Sequence, residues 1–103
     1  MGLVCFNRAR IAGFSYYEGA VVWENLKVGT ELDAVPEDNP HDEYAVALYY
    51  KKHKLGYIPM EENEEISKIL KAGYDIFEVR VQQRREDVHP EQQIRIIIHL
   101  KEK

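Results

Sequence analysis

Apolar and polar residues alternate in two segments near the carboxyl end of the chain, residues 76–81 and residues 94–100. A period of two places successive side chains on opposite faces of a strand, so both segments are predicted as half-buried β-strands. The polar segment 82–91 between them is predicted as a loop. Four further apolar segments are predicted as strands bounded by turn residues: 3–14, 32–35, 44–50 and 55–58.

One segment has the period of a helix instead. Ile66, Ile69 and Leu70 fall at i, i+3 and i+4, which is the spacing of one face of an amphipathic helix. The helix is predicted to follow Asn63, its N-cap, and to end at Gly73. The glutamates around its start favour the positive end of the helix dipole.

Six strands and one main helix predict a mainly β domain of the α+β class. Short strands in this number remove their exposed edges most economically by bending into a closed sheet. The predicted fold is therefore a small six-stranded SH3-like or OB-like barrel that forms a single domain over residues 1–103. A short helical turn is predicted at residues 20–26, with Trp23 packed in the core or over it as a lid.

Composition and charge narrow the functions that this fold is expected to serve. With 103 residues, 45% of them hydrophobic, the chain has the apolar material for one core. A formal net charge of -4 argues against a broad basic surface, so any nucleic-acid contact is expected to be small and local. The single cysteine, Cys5, is predicted to be a buried free thiol in a reducing compartment. No segment has the ~20 apolar residues of a membrane span, and we expect a soluble, cytoplasmic protein.

The sequence carries no assembled catalytic or metal-binding motif. It has no glycine-rich phosphate loop and no nucleophile elbow that would place a serine beside a histidine. The four histidines lack the spacing of a zinc site, and the glutamates of residues 61–65 are interpreted as a solvated face at a helix start. We therefore expect neither an enzyme nor a bound metal or cofactor.

Three short segments concentrate the polar and aromatic residues that indicate a ligand site. Residues 37–44, Glu-Asp-Asn-Pro-His-Asp-Glu-Tyr, form a turn that presents an asparagine, a histidine and a carboxylate at the start of a strand. Residues 54–59, Lys-Leu-Gly-Tyr-Ile-Pro, place a tyrosine beside a glycine, and residues 12–19, Ala-Gly-Phe-Ser-Tyr-Tyr-Glu-Gly, carry a tyrosine pair. A half-exposed ring near a strand end is a stacking platform for an unpaired base.

Together these segments resemble the HIRAN domain, a small module found in some DNA-remodelling ATPases and as free-standing bacterial proteins. The resemblance extends from about residue 4 to residue 100 and implies an SH3-like or OB-like barrel. HIRAN domains that read DNA ends capture the 3′ end of single-stranded DNA. A tyrosine stacks on the terminal base there, and an aspartate accepts a hydrogen bond from the 3′ hydroxyl.

Carried onto this chain, the stacking tyrosines fall on Tyr16 and Tyr17, and the hydroxyl-reading aspartate falls on Asp42. An ionised carboxylate accepts a hydrogen bond from a free hydroxyl and repels the phosphate of a continuing strand, so one residue would select ends over interiors. The resemblance adds three more residues at the same pocket: Asn39, which is expected to hold the turn, His41 and Tyr57.

Two cations of the DNA-end reader are absent from this chain. The arginine before the tyrosine pair is Ser15, and a basic residue shortly after the pocket aromatic is Met60. Each missing cation removes part of the electrostatic term that supplies much of nucleic-acid affinity. Other basic residues are candidate phosphate contacts in their place: Arg84 and Arg85 in the neighbouring loop, and Arg8 and Arg10 on the first strand.

The leading hypothesis is a module that binds a single-stranded DNA end without turnover, in DNA repair or replication, beside a helicase, a nuclease or another DNA-processing protein. The alternative is a protein-interaction or oligomerisation module that keeps the barrel but has lost DNA binding. The acidic charge, the missing cations and the isoleucine-rich last strand favour this alternative, because such a strand is able to pair with a partner strand. A small hydrolase is a third class, which would require turnover that disappears with Asp42→Ala.

Overall fold

The computed structural model describes residues 4–101, which contain six strands and one α-helix. The strands are β1 (Val4–Arg10), β2 (Glu31–Pro36), β3 (Val46–Tyr50), β4 (His53–Tyr57), β5 (Phe77–Arg84) and β6 (Ile94–Leu100), and the helix is α1 (Glu64–Lys71). Short 3-10 turns lie at Phe14–Tyr16, Trp23–Asn25, Met60–Glu62 and Pro90–Gln92.

The six strands form one antiparallel sheet in the order β1-β6-β5-β2-β3-β4. The strand β2 joins the two halves, because Glu31 and Leu32 pair with β5 whereas the rest of the strand pairs with β3. The alternation predicted for β6 is observed: Ile94, Ile96 and Ile98 are buried. They belong to a core whose other members include Ile11, Leu26, Leu48, Leu55, Ile58, Ile66, Val79 and Val81.

The sheet is open, in contrast to the closed barrel predicted, although the chain comes close to closing it. Just beyond β1, Ala12 forms an isolated bridge with Tyr57 on the far edge strand β4, with N–H to O distances of 2.8 and 2.9 Å. Gly56 permits this approach, because a Cβ there would overlap the carbonyl oxygen of Ala12 and because its φ of 146° is strained for other residues. The glycine of the Gly-Tyr-Ile-Pro segment therefore brings Tyr57 against the segment that follows β1.

The helix α1 packs on the sheet through the apolar face that the sequence predicts. Ile66 is buried, and Ile69 and Leu70 pack against the core. Asn63 precedes the helix but its side chain makes no capping hydrogen bond, because its backbone is helical rather than extended. Its amide donates instead to Asp42. Within residues 4–101, no helix is long and apolar enough to cross a membrane.

Several predicted boundaries differ from the structure. β1 ends at Arg10 and not at residue 14, because Gly13 adopts a φ of 74° and opens the 3-10 turn at Phe14–Tyr16. β5 continues to Arg84, so the first part of the predicted loop 82–91 is strand paired with β6. Residue 3, the predicted start of the first strand, lies outside the described residues.

The prediction that Cys5 is a buried thiol is wrong, because Cys5 is exposed. It lies on β1, an edge strand, and pairs with His99 of β6. His99 alternates with the buried Ile98 and so lies on the outward face of the sheet. The same register therefore directs the thiol away from the core.

Candidate nucleic-acid interface

The six residues assigned to DNA binding by resemblance lie around one cavity. The cavity has a volume of about 300 Å³ and adjoins the bridge between Ala12 and Tyr57. Ala45 and Ile58 contribute an apolar surface to it and are both buried. Its polar and aromatic lining comes from three segments that are distant in sequence: Tyr16, Tyr17, Asn39, His41, Asp42 and Tyr57.

The tyrosine pair is presented by the 3-10 turn that follows β1. Phe14 is buried and anchors the turn in the core, while Gly13 supplies the left-handed backbone at its start. Tyr16 is 82% exposed and Tyr17 is 39% exposed. Tyr16 thus offers a ring face to solvent, which is the condition for stacking on an unpaired base.

A carboxylate from the loop between β5 and β6 holds this turn in place. Glu91 Oε1 accepts a hydrogen bond from the Gly13 N–H at 2.7 Å. The other oxygen, Oε2, lies 3.4 Å from the backbone N of Ser15 and 3.5 Å from its Oγ. The position where the DNA-end reader has an arginine is thus occupied by a serine in contact with a negative charge.

The turn between β2 and β3 is fixed by hydrogen bonds within its own segment. Asn39 Oδ1 accepts from the His41 N–H at 2.9 Å, and the Asn39 carbonyl accepts from the Asp42 N–H at 3.2 Å. The first of these is an Asx turn, in which a side chain imitates a backbone turn. This geometry matches the turn-holding role expected for Asn39, while His41 remains exposed.

The carboxylate of Asp42 is held by two uncharged donors. The Tyr44 N–H donates to Oδ1 at 3.0 Å, and the amide of Asn63 donates through Nδ2 to Oδ2 at 2.8 Å. Asn63 is only 2% exposed, so this second bond is shielded from water. Each carboxylate oxygen has two lone pairs, so both oxygens keep the capacity to accept a further hydrogen bond.

Tyr57 lies in a triangle of hydrogen bonds with Glu37 and Lys54. Its hydroxyl donates to Glu37 Oε2 at 2.5 Å and accepts from Lys54 Nζ at 2.5 Å. Lys54 Nζ also donates to Glu37 Oε1 at 2.9 Å, which closes the triangle between the turn and β4. These bonds fix the phenol of Tyr57 at the wall of the cavity.

The triangle changes the ionisation of all three groups. Burial raises the pKa of Glu37, but hydrogen bonds from Tyr57 and Lys54 outweigh burial and leave the pKa below its usual value. Burial lowers the pKa of Lys54, and its bonds to Tyr57 and Glu37 outweigh that effect and raise it. Burial and the Glu37 carboxylate together raise the pKa of Tyr57 to about 12. At neutral pH the triangle therefore holds a carboxylate, an ammonium and a neutral phenol.

The ammonium group of Lys54 also lies over two aromatic rings. Its Nζ is 4.4 Å from the ring centroid of Tyr57 and 5.0 Å from that of Tyr17. The two rings contact each other edge to face, with centroids 5.7 Å apart. Lys54 thus contacts two rings that line the cavity without lining it itself, and Glu37 already compensates its charge.

A profile of the HIRAN domain matches residues 6–101. The chain belongs to the HIRAN domain family. HIRAN domains are associated with nucleic-acid binding. A crystal structure of a protein from Lactobacillus plantarum is similar to this HIRAN domain with a TM-score of 0.78 at 20% identity, covering 98% of each chain. That likeness confirms the predicted mainly β, OB-like fold. No curated protein matches the chain significantly.

A larger cavity lies on the other side of Tyr17 in this HIRAN domain. Its volume is about 490 Å³, and its lining includes Phe14, Trp23 and Pro90. Trp23, predicted as a core or lid residue, is partly buried and packs against the core. Of the six predicted residues only Tyr17 borders this cavity, so the smaller cavity is the one that unites the predicted site.

Arg84, which ends β5 and was predicted in the loop, and Arg85, which follows it, lie outside the HIRAN cavity and have partners within the protein. Arg84 Nη1 donates to the Trp23 carbonyl at 2.8 Å, and its guanidinium lies 5.0 Å from the Trp23 ring centroid. Arg85 forms an ion pair with Asp87 at 3.1 Å. Met60 does line the cavity, and its exposed side chain adds apolar surface where the DNA-end reader has a basic residue.

Four residues of the site were not predicted from the sequence. Glu37 and Lys54 are the first residues of two of the three motif segments. Their opposite charges are the signal from which a contact between the two segments could have been predicted. Asn63 was interpreted only as a helix cap. Glu91 lies in a polar loop that is distant in sequence from the tyrosine pair, and no local pattern indicates its contact with Ser15.

The HIRAN cavity offers aromatic faces, an apolar surface and hydrogen-bond acceptors. Asp42 is the acceptor that carries a negative charge without a cationic partner among the described residues. Lys54, which contacts the lining rings of Tyr17 and Tyr57, is paired with Glu37. Within residues 4–101, no group of three or more His, Cys, Asp or Glu side chains is arranged to hold a metal ion. This arrangement suits a ligand with a planar ring and a hydroxyl donor.

Proposed function

We propose that this HIRAN domain binds the 3′ end of single-stranded DNA and releases it unchanged. The observation that carries the proposal is that six side chains from three distant segments converge on one cavity of about 300 Å³. In this proposal Tyr16 and Tyr17 stack on the terminal base, and Asp42 accepts a hydrogen bond from the 3′ hydroxyl. The domain would serve DNA repair or replication in the cytoplasm, beside a helicase, a nuclease or another DNA-processing protein.

The selection of an end rests on the charge of Asp42. Its donors, the Tyr44 N–H and the Asn63 amide, orient the carboxylate without neutralising it. A hydroxyl donor gains a charge-assisted hydrogen bond there, worth about 1.5–3 kcal/mol. A phosphate at the same position would bring a second negative charge to the carboxylate, which favours a free end over the interior of a strand.

The aromatic contribution is independent of sequence. A base stacked on an aromatic side chain contributes about 1–3 kcal/mol, and every base has a π-face. Tyr16 has the more exposed ring, while the edge-to-face contact with Tyr57 holds the ring of Tyr17. We therefore assign the larger stacking contribution to Tyr16.

The proposal includes no chemical step. The residues that line the cavity include neither a serine nor a cysteine. Its fixed hydroxyl, on Tyr57, is bonded to Glu37, and burial together with this carboxylate raises the pKa to about 12. A nucleophile is activated by the opposite change, a lowered pKa or a neighbouring base that is free to accept its proton.

The test is fluorescence-anisotropy binding of short single-stranded DNA at low salt, with a free 3′ hydroxyl or a 3′ phosphate. We expect the wild-type domain to prefer the hydroxyl by about tenfold or more, the value of one charge-assisted hydrogen bond. Asp42→Ala should remove this preference, and Tyr16→Ala should weaken binding to both oligonucleotides. Equal binding of the two oligonucleotides by the wild-type domain would overturn the proposal.

A matched control distinguishes a specific contact of Asp42 with the 3′ hydroxyl from a general effect of negative charge in the turn. Asp42→Asn and Asp38→Asn each remove one negative charge from the same turn, and the exposed Asp38 does not line the cavity. Asp42→Asn should lose the preference for the hydroxyl, whereas Asp38→Asn should retain it. Loss of the preference in both variants would indicate a general electrostatic effect of the turn.

A second candidate function is a protein-interaction module that has lost DNA binding. The contact between Glu91 and Ser15 favours it, because a carboxylate lies where the DNA-end reader has an arginine. In this case no oligonucleotide would bind at low salt, and Asp42→Ala would have no effect on nucleic-acid affinity. The anisotropy experiment therefore decides between the two functions.

A further inference from the structure

Three arginines form a stripe on the outward face of β1 and β6. Arg8 and Arg10 alternate with the buried Ala9 and Ile11, so they project away from the core. Arg95 of β6 is the direct partner of Arg10 in the antiparallel register. All three side chains are exposed, and we call Arg8, Arg10 and Arg95 the arginine stripe.

The arginine stripe has no internal counter-charge among the described residues. No ion pair or side-chain hydrogen bond within residues 4–101 involves any of its three guanidinium groups. Arg80 lies on the same outward face, in the row of Arg8, and differs: it bonds to Glu78 at 2.9 Å and to the Gly29 carbonyl at 2.6 Å. In a chain of net charge -4, the stripe is a local concentration of free positive charge.

The register of the sheet places two of these charges directly opposite each other. Like charges at directly opposed positions of an antiparallel pair destabilise the sheet. Arg10 and Arg95 occupy such positions, and the guanidinium group is charged at every physiological pH. An anion bound between them would relieve this repulsion. The pair is therefore suited to bind an anionic group of a ligand.

The arginine stripe continues directly into the cavity wall. Alternate residues of an extended segment project from one face, so Arg8, Arg10 and Ala12 lie on the same side of the chain, and Ala12 lines the cavity. With a rise of about 3.3 Å per residue, Arg10 stands about 7 Å and Arg8 about 13 Å from Ala12 along the segment. A strand that leaves the cavity along this segment therefore passes over successive guanidinium groups.

We infer that the arginine stripe binds the phosphates of the DNA strand on the 5′ side of the captured end. The inference rests on the proposed function, which places the 3′ end in the cavity; the exposed arginines beyond Ala12 indicate the path of the strand from there. It gives this chain cations in place of those absent at Ser15 and Met60, on a sheet face instead of at the cavity rim. In this arrangement the cavity selects the 3′ end, and the arginine stripe makes longer strands bind more tightly than short ones.

The test compares a dinucleotide with an oligonucleotide of about ten residues, both with a free 3′ hydroxyl, a length within the site sizes of OB-type domains. The variant carries Arg8→Gln, Arg10→Gln and Arg95→Gln together. We expect it to bind the longer strand about tenfold more weakly at low salt and the dinucleotide with unchanged affinity. Because each phosphate contact contributes about 0.7 to the salt slope of single strands, the slope for the longer strand should fall by about 2.

A control variant removes the same charge elsewhere. Lys27→Gln, Lys51→Gln and Lys52→Gln together change three exposed lysines in two turns, away from the stripe and the cavity lining. This variant should retain most of the affinity and the salt slope of the wild-type domain. Circular dichroism of both variants verifies that the fold is intact.

The outcomes distinguish failure of the inference from failure of the proposed function. If the longer strand gains no affinity over the dinucleotide, or if the stripe and control variants behave alike, the inference is wrong while end capture stands. If the longer strand loses affinity in the stripe variant but binds equally well with a 3′ hydroxyl and a 3′ phosphate, the inference about the stripe stands and the proposal of end capture is wrong. Binding of an acidic protein instead of any oligonucleotide would overturn both.

Discussion

Two carboxylates belong to the same turn, but their partners differ in charge. Glu37 accepts a hydrogen bond from the ammonium group of Lys54 and another from the hydroxyl of Tyr57. Asp42 accepts from a backbone N–H and from the buried amide of Asn63, neither of which carries a charge. The charge of the first carboxylate is compensated by an ammonium group, whereas the second is oriented by its donors and has no cationic partner among the described residues.

This difference separates a carboxylate that stabilises the turn from one that is available to a ligand. A carboxylate paired with a cation stabilises the fold but offers little to a ligand, since its charge is already compensated. A carboxylate held by neutral donors is preorganised, and its remaining lone pairs keep the capacity to accept a hydrogen bond from a ligand. Glu37 thus fixes the wall through Tyr57, and Asp42 is the residue that we propose reads the 3′ hydroxyl.

The largest effect that would test this comparison is expected at Asn63. Asn63→Ala removes a buried hydrogen bond to a carboxylate, so we expect a loss of about 1.5–3 kcal/mol in the free energy of unfolding. Asp42 also loses one of its two orienting donors, and the preference for a 3′ hydroxyl should fall about tenfold. Urea unfolding and anisotropy binding measure the two effects.

Ser67 provides the matched control for Asn63. It is also fully buried and lies on α1, but its hydroxyl has no hydrogen-bond partner among the described residues. Ser67→Ala removes an unpaired polar group, so it should be neutral or stabilising and should leave end preference intact. If both variants lowered the preference equally, general loosening of the helix would explain the effect and Asn63 would have no special role.

The fold was predictable where it depends on the periodic spacing of apolar and polar residues. The bounds of β6 follow from its isoleucines, and the helix follows from Ile66, Ile69 and Leu70. The sheet edges were less predictable, because alternation does not show which strand lies at an edge. Cys5 is exposed for this reason, since β1 is an edge strand.

The cavity lining was predictable only where short motifs and the resemblance coincide. Contacts between distant segments left weaker signals or none: Glu91 reaches Gly13 across 78 positions of sequence, and Asn63 reaches Asp42 across 21. For Asn63 the local rule of helix capping was misleading. An asparagine before a helix looks the same in the sequence whether its side-chain oxygen caps the helix or its NH2 group contacts another segment.

A smaller effect is expected when the compensated carboxylate loses its charge. Glu37→Gln should lower the free energy of unfolding by about 1 kcal/mol near neutral pH, because the pair with Lys54 is partly exposed. The folded-state pKa of Glu37 lies below its ordinary value of 4.5. Its stabilisation is therefore present above about pH 4.5 and is lost as the pH falls through the folded-state pKa.

Urea unfolding of wild type and Glu37→Gln at about pH 7 and about pH 3 measures this dependence. The difference between the two proteins should shrink at the lower pH, because the Glu37 carboxyl of the unfolded wild-type chain, with its ordinary pKa of 4.5, is protonated there before the folded one. Asp38→Asn, which removes an exposed carboxylate of the same turn, should show almost no difference at either pH. A constant difference for Glu37→Gln would mean that its shape and not its charge stabilises the turn.

The smallest effect concerns a single proton on Tyr57. In a near-ultraviolet absorbance titration of the seven tyrosines, one phenol should ionise at about 12, because burial and the Glu37 carboxylate raise the pKa of Tyr57. This last step should disappear in Tyr57→Phe and should move toward the ordinary value of about 10 in Glu37→Gln. Because the folded-state pKa of Tyr57 is raised, the neutral phenol contributes its full stabilisation of the fold below about pH 10. This contribution is lost as the pH rises toward 12. If the late step persisted unchanged in Glu37→Gln, burial alone would account for it, and the contrast between the two carboxylates would rest on Asp42.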